Sequence, residues 1–230
     1  MKVSIVIPAL NEEASIGQVI AGLPRDLVHE IIVADNGSED RTAEIAAVNG
    51  AKVVRADRRG YGSACLAGIA ASDHPDIIAF IDGDLSDYPE DLPNLIMPIE
   101  IDDAELVIGS RTIGQVEPGS LTQQQKYGNW LATRLIWLFF GVKFTDLGPF
   151  RAITREALER IRMEDTNYGW TVEMQVKAAQ HNLRCVEVPV RYRKRIGVSK
   201  ISGTWTGTLS AGYKILYTIF RYALKSPKRD

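Results

Sequence analysis

Two cysteines, Cys65 and Cys185, are all that this chain of 230 residues contains. They are too few for a disulfide framework and indicate a reducing, cytosolic setting. Long apolar runs are missing as well. No window reaches the roughly 20 apolar residues of a membrane span. The nearest, "WLATRLIWLFFGV" at 130–142, is short and carries Arg134. The start, "MKVSIVIPALNEE", lacks the layout of a secretory leader, because its apolar run is short and ends in acids. There is no internal repeat and no low-complexity tract. No Gly-x-Gly-x-x-Gly follows the first apolar run. Pro8-Ala9-Leu10-Asn11-Glu12 stands in its place, which argues against a nicotinamide cofactor. With 45% hydrophobic residues, the chain suits one large globular domain, or a domain with a small appendage.

A net charge of −2 hides an asymmetry. From Arg184 to Asp230 there are 11 Lys/Arg and two acids, while the remainder carries 16 Lys/Arg and 27 acids. A basic tail on an acidic body fits an anionic partner such as phosphates, a membrane surface or nucleic acid, or else a solvated face. Residues 205–224, "WTGTLSAGYKILYTIFRYAL", mix aromatic and aliphatic side chains with Lys214 and Arg221, and Lys225, Lys228 and Arg229 follow. That composition suits a helix lying on anionic lipid, or one packed on the body or a second subunit.

The first hundred residues alternate β-rich runs with helical stretches. Strands are expected at 3–8, 30–35, 51–56 and 76–82, and helices at 12–22, from about 40, and at 62–71. Such runs indicate a mostly parallel sheet covered by helices on both faces, which binds ligands at the carboxyl ends of its strands. Three clusters fall at those ends: Pro8 to Glu12, Asp35 to Ser38, and Asp82-Gly83-Asp84. In the second half, strands are expected at 105–111, 149–154 and 183–193, and helices at 123–140, 155–162 and 171–180. A flexible stretch is expected at 112–122.

Asp82 and Asp84 end an apolar run one residue apart, where their charges repel unless something positive lies near. A hard divalent cation with a phosphate fits that pattern, and so does an ordinary Asp/Gly turn. Asp35 ends its own strand, where an acid can accept from a ribose or base. "RRGYGSACLAGIAAS", residues 58–72, puts a glycine-rich turn before an alanine-rich helix, for close packing or approach to a phosphate. "RYRKRIGVSK", residues 191–200, is either a basic surface strand and loop or a segment that closes over an anionic leaving group.

In this order, "VSIVIPALNEE", "IIVADNGSEDRT", "GYGSACLAGI", "IIAFIDGDLSDYPEDLPNL", "LVIGSR", "TDLGPFRAITREAL", "TVEMQVKA" and "EVPVRYRKRIGVSK" resemble the family 2 glycosyltransferases of GT-A fold. Within that family they are similar to the dolichyl-phosphate mannose and glucose synthases and their bacterial polyprenyl-phosphate relatives. The resemblance spans residues 3 to about 203, which would form the GT-A domain, with 204–230 as an amphipathic, basic segment. It implies an inverting transfer of a hexose from a nucleotide sugar to a polyprenyl phosphate, on the cytoplasmic face of a membrane, with Mg²⁺ or Mn²⁺ as cofactor. A homo-oligomer or a membrane-protein partner fits as well, and no nucleic acid is expected.

The resemblance also implies roles. Pro8, Ala9, Glu12 and Asp35 would hold the nucleoside. Asp82, Gly83 and Asp84 would lie at the donor diphosphate. Asp82 and Asp84 would bind the metal, joined by Ser86, where close relatives often have Gln. Arg111 and Arg151 would face the phosphates, and Lys200 would close over the diphosphate. Some relatives hold the lipid phosphate with Arg and Ser four apart on the next helix. Here those positions are Gln125 and Asn129, with Lys126 adjacent, so Arg111, Lys126, Asn129 and Arg151 form the acceptor-phosphate set. A hydroxyl acceptor would need a base, and Glu173 or Asp146 would be the candidate. The rival readings are a same-fold enzyme acting on a soluble or protein-bound hydroxyl, a magnesium-dependent phosphohydrolase, and a non-catalytic membrane-docking subunit.

Overall fold

The computed structural model describes residues 1–197 and 205–225. Lys200, Lys228 and Arg229 lie outside the described residues. Strand β1, Val3–Ala9, is buried along its whole length, as expected of a β-branched run in the middle of a sheet. It is followed by α1 (Ile16–Gly22), β2 (Glu30–Asp35), α2 (Thr42–Val48), β3 (Lys52–Arg55), α3 (Tyr61–Ala70) and β4 (Ile77–Phe80). Then come α4 (Leu92–Ile101), β5 (Leu106–Val116), α5 (Gln123–Phe140), β6 (Arg151–Thr154), α6 (Arg155–Ile161), α7 (Trp170–Gln180), β7 (Cys185–Tyr192) and α8 (Trp205–Lys225). The strands form one sheet in the order β3-β2-β1-β4-β6-β5-β7.

The pleat divides β1 between two cores. Ile5 and Ile7 point to one face, against Val19 and Ile20 of α1 and Leu92 and Leu95 of α4. Val6, with Phe80 of β4 and Ile108 of β5, points to the other, against Ile136 of α5, Trp170 and Met174 of α7, and Ile219 of α8. The segment after 204 was expected to lie on lipid or to pack on the body or a second subunit. It lies against the body through Ile219 and Tyr222, whose hydroxyl donates to Glu173 at 2.7 Å.

Three elements depart from the expected ones. The sheet is mostly parallel, but β6 runs antiparallel to both β4 and β5. Helix α4 was not among the expected elements, and it holds two prolines, Pro93 and Pro98. Pro93 occupies its first turn, where a missing N–H costs nothing. Strand β5 continues through Val116, into the stretch expected to be flexible. A register shift against β7 between Ser110 and Gln115 makes this possible. Gly114 is required there, since a methyl group would collide with the Val190 carbonyl.

Helix α5 begins where a capping box forms between Thr122 and Gln125 and ends at Gly141 with φ 75°. The parallel register brings the ends of β1 and β2 level, with Ala9 opposite Asp35. The loops that follow are tied together: the Asn11 amide donates to Ser38 Oγ at 2.9 Å and the Glu12 amide to Thr42 Oγ1 at 2.7 Å. Phe80 pairs with Arg151 at the end of β4, and Asp82 lies just beyond it.

Candidate active site

A cavity of about 550 Å³ opens at this edge. Pro8, Ala9, Glu12, Asp82, Gly83 and Asp84 all line it, so six of the expected donor-site residues meet in one place. Asp35 lines an adjoining cavity of about 470 Å³ that shares Asn36 and Arg59 with the first. Asn36 shapes the wall between them. Its amide donates to the Arg58 carbonyl at 2.9 Å, and its oxygen accepts from the Gly60 amide at 2.7 Å. Gly60 has φ 139°, and a methyl there would collide with the Thr166 carbonyl. The glycine-rich turn packs closely on 165–167, one of the two purposes expected of it, and it carries Tyr61 to the cavity.

The Asp82-Gly83-Asp84 turn is held from three directions. Ser15 Oγ donates to the Gly83 carbonyl at 2.8 Å. Tyr61 OH donates to Asp82 Oδ1 at 2.9 Å. Ser86 donates to Asp84 Oδ1 from its amide at 2.9 Å and from its hydroxyl at 2.6 Å. The free oxygen, Asp84 Oδ2, meets Arg195 Nη2 at 2.6 Å. The positive charge that the paired carboxylates require is thus supplied, in this state, by Arg195. Burial and then the neighbouring Asp84 charge push the Asp82 carboxyl above its ordinary range. Asp87, 1% exposed, has neither carboxylate oxygen hydrogen-bonded among the described residues. Burial and the Asp82 charge push it well upward, which favours the neutral acid.

The residues fit a divalent cation of the Mg²⁺ or Mn²⁺ kind. Two hard carboxylates face one cavity, and a guanidinium stands where a cation belongs. Among the described residues no three His, Cys, Asp or Glu side chains group to hold a metal, so the remaining ligands must be substrate oxygens and water. Ser86 was expected in the ligand set. Its hydroxyl is instead spent on Asp84, and it does not line the cavity.

A second cavity, about 830 Å³, lies between β5, α5 and the loop 143–146. Arg111, Lys126, Asn129, Arg134 and Lys143 line it together with Trp130 and Trp137. Arg111 is its most buried cation. It grips Asp146 through Nε at 2.8 Å and Nη2 at 2.7 Å, and lies over the Tyr192 ring at 5.1 Å. Lys126, Arg134 and Lys143 are exposed, and the last two flank Trp137 at 5.9 and 5.1 Å.

Two residues of the expected acceptor set are engaged elsewhere. Asn129 donates to the Thr145 carbonyl at 3.0 Å and accepts from the Leu147 amide at 2.8 Å, so it clamps the loop. Arg151 is 0% exposed and lines neither of these two cavities. Its guanidinium donates to the carbonyls of Leu147, Gly148 and Thr171, and burial lowers its pKa to about 10. Arg151→Lys should therefore cost about 2 kcal/mol of stability, because one ammonium cannot reach three carbonyls. Nucleotide affinity should stay unchanged. Urea denaturation beside calorimetric nucleotide titration checks both. Glu173 is also a structural carboxylate, 1% exposed. It pairs with Lys177 at 3.0 Å and accepts from the Asp165 amide at 2.7 Å.

Sequence reasoning missed Tyr61, Asn36, Asn167, Tyr168 and Arg195. Asn36, Tyr61 and Arg195 did leave signals: the strand-end cluster 35–38, the glycine-rich turn and the basic run 191–195.

The comparisons with known proteins agree with this geometry. A family model described as glycosyl transferase family 2 matches residues 4–162. The chain belongs to that family. It is 38% identical over 213 residues to a glycosyltransferase of Mycobacterium tuberculosis, covering 91% of this chain and 94% of that protein. It is 34% identical over 202 residues to the dolichyl-phosphate hexose transferase of Haloferax volcanii, covering 86% of each. The glucosyl-3-phosphoglycerate synthase of M. tuberculosis has been solved with Mn²⁺, uridine-diphosphate-glucose and phosphoglyceric acid. It matches with a TM-score of 0.78 at 25% identity, over 99% of this chain and 81% of that one. This family 2 glycosyltransferase has the GT-A fold that the resemblance implied, and nucleotide sugars are its class of donor.

Proposed function

We propose that the enzyme transfers a hexose from a nucleoside-diphosphate sugar to the phosphate of a polyprenyl-type lipid, at a membrane surface and with inversion at the sugar carbon. The observation that carries this reading is the larger cavity. Arg111 is its most buried cation, and exposed cations and the two tryptophans surround it. Such a lining suits an amphiphile with an anionic head.

Pro8, Ala9, Glu12 and Asp35 hold the nucleoside, and Asp82 and Asp84 would hold a divalent cation. When bound, that cation neutralises charge on the leaving group. Ser86 contributes by fixing Asp84, and Tyr61 by fixing Asp82. Arg195 and Lys200 take up diphosphate charge. Arg111, with Lys126 near it, orients the acceptor phosphate. A phosphate monoester has a second pKa of about 6 and is largely dianionic at pH 7, so it attacks without a strong base. This agrees with the state of the two candidate bases: Asp146 is gripped by Arg111, and Glu173 is locked in the core.

The outer surface supports a membrane setting. Neither 123–140 nor 205–225 contains Asp or Glu. Trp130, Trp137, Leu138 and Phe139 of α5 are exposed, as are Tyr213, Tyr217, Phe220 and Leu224 of α8. Phe139 and Phe220 meet edge to face at 5.5 Å and join the two rows. Among the described residues no helix is long and apolar enough to cross a membrane, so the contact is interfacial. Replacing Arg134 and Lys143 by Gln should weaken binding to anionic vesicles several-fold at low salt and spare binding to neutral ones. Replacing Trp130 and Trp137 by Ala should weaken both. Vesicle co-sedimentation at two salt concentrations measures this.

A second reading keeps the donor chemistry and puts a small soluble phosphorylated acid in the same cationic cavity. The neighbour solved with phosphoglyceric acid favours it. Assaying GDP- and UDP-sugars against undecaprenyl phosphate in detergent and against 3-phosphoglycerate separates the two. Turnover confined to the lipid phosphate is expected, and turnover confined to phosphoglycerate would overturn the lipid reading.

A further inference from the structure

We infer that Arg195 is a displaceable counter-ion. It occupies the cation position of the Asp82–Asp84 site, and the arriving donor diphosphate draws it away, coupling nucleotide binding to metal binding. The inference rests on the reading that these aspartates hold the metal, and it assigns the residue that competes with it.

The contact is specific. Arg195 Nη2 lies 2.6 Å from Asp84 Oδ2, with side-chain exposures of 30% and 5%. Ser86 already occupies Asp84 Oδ1, so Oδ2 is the oxygen left for a metal. A divalent cation drawing on Asp84 Oδ2 and Asp82 must therefore break the Arg195 pair. The guanidinium also feels the charges of Asp82 and Glu12, which with Asp84 raise its pKa. Removing it from this acidic setting is unfavourable unless another anion receives it.

The backbone limits where Arg195 can go. The Arg193 amide donates to the Ser86 carbonyl at 2.9 Å, and the Ile196 amide to the Asp84 carbonyl at 3.0 Å. Arg193 Nε holds the Leu85 carbonyl at 2.8 Å, and its guanidinium stacks on Tyr88 at 4.1 Å. The stretch 193–196 is thus pinned across the turn that carries Asp84. Only the Arg195 side chain needs to turn, and it already lines the nucleotide cavity. The anion that enters this cavity is the donor diphosphate. Metal alone has to break the ion pair uncompensated. Metal with a nucleoside diphosphate exchanges one anionic partner of Arg195 for another. Linkage then makes each ligand raise the affinity of the other by the same factor.

The test is equilibrium binding of Mn²⁺ to the full chain, read by the electron paramagnetic resonance of free Mn²⁺, alone and with GDP or UDP. Arg195→Gln should bind Mn²⁺ alone about tenfold tighter than wild type. The factor by which the nucleotide strengthens Mn²⁺ binding should shrink by a similar amount. Arg59→Gln is the control. Arg59 lines the same cavity and carries the same charge, but it pairs with Glu39 at 3.6 Å. Its loss should change the Mn²⁺ affinity less than twofold. Equal Mn²⁺ affinity in wild type and Arg195→Gln, or an equal gain in both variants, would overturn the inference while leaving the metal reading intact. Failure of wild type to bind Mn²⁺ even with nucleotide would overturn both. Matching melting temperatures establish that the variants are folded when compared.

Discussion

Asp84→Asn is expected to lower turnover by a hundredfold or more while the fold survives. Asp84 sits beyond the end of β4, in a turn that Ser15 and Ser86 continue to hold. Asparagine keeps the oxygen that accepts from the Ser86 amide and loses the charge that the cation needs. Losing one charged ligand at a site that stabilises a leaving diphosphate corresponds to about 3 kcal/mol in the barrier. Arg195 also loses its ionic partner, so nucleotide affinity should fall far less than turnover. Steady-state kinetics beside circular dichroism measure both. Wild-type turnover in the variant, or full activity in excess EDTA, would contradict the assignment.

The second large effect is expected at Arg111. Arg111→Gln should cost both stability and acceptor use, for separable reasons. Asp146 is 1% exposed and accepts three hydrogen bonds from Arg111, two of them from the guanidinium. Deleting the guanidinium strands a buried carboxylate, at about 3–5 kcal/mol. Replacing Asp146 by Asn in the same chain removes that charge and should restore most of the stability. If Arg111 also contacts the acceptor phosphate, the restored double variant should still have acceptor kcat/KM lowered about a hundredfold, with donor affinity near wild type. Recovery of acceptor kcat/KM along with stability would reduce Arg111 to a scaffold.

These two residues show what could be read from the chain before its structure. The Asp82-x-Asp84 pair was legible because its chemistry is local: an apolar strand ends in two like charges one residue apart. Strands β1 and β2 were legible for the same reason, since their burial follows from composition. Arg111 was placed correctly on its strand, but its grip on Asp146 depends on a loop far along the chain. Arg151, in "GPFR", was assigned to the phosphates by the family resemblance alone. The direction of a side chain at a strand start is set by what packs around it, and here three carbonyls draw it into the core. Asn129 does line the larger cavity, but its place on α5 says nothing of the loop it also clamps. The antiparallel run of β6 could not be inferred either, because four residues carry no signal of strand direction. Arg195 was hidden among four basic residues in five. Only the pairing of 193–196 with the Asp84 turn distinguishes it.

The account as a whole depends on where the sugar goes, and phosphorus-31 nuclear magnetic resonance of the product reads that directly. Purified enzyme, Mn²⁺, a nucleotide sugar and undecaprenyl phosphate in detergent should convert the acceptor's monoester resonance into that of a phosphodiester. With a ¹³C-labelled anomeric carbon, the new resonance should show coupling between phosphorus and that carbon. Consumption of the nucleotide sugar while the acceptor's monoester resonance persists, the sugar passing instead to water or to an added hydroxyl compound, would contradict the account.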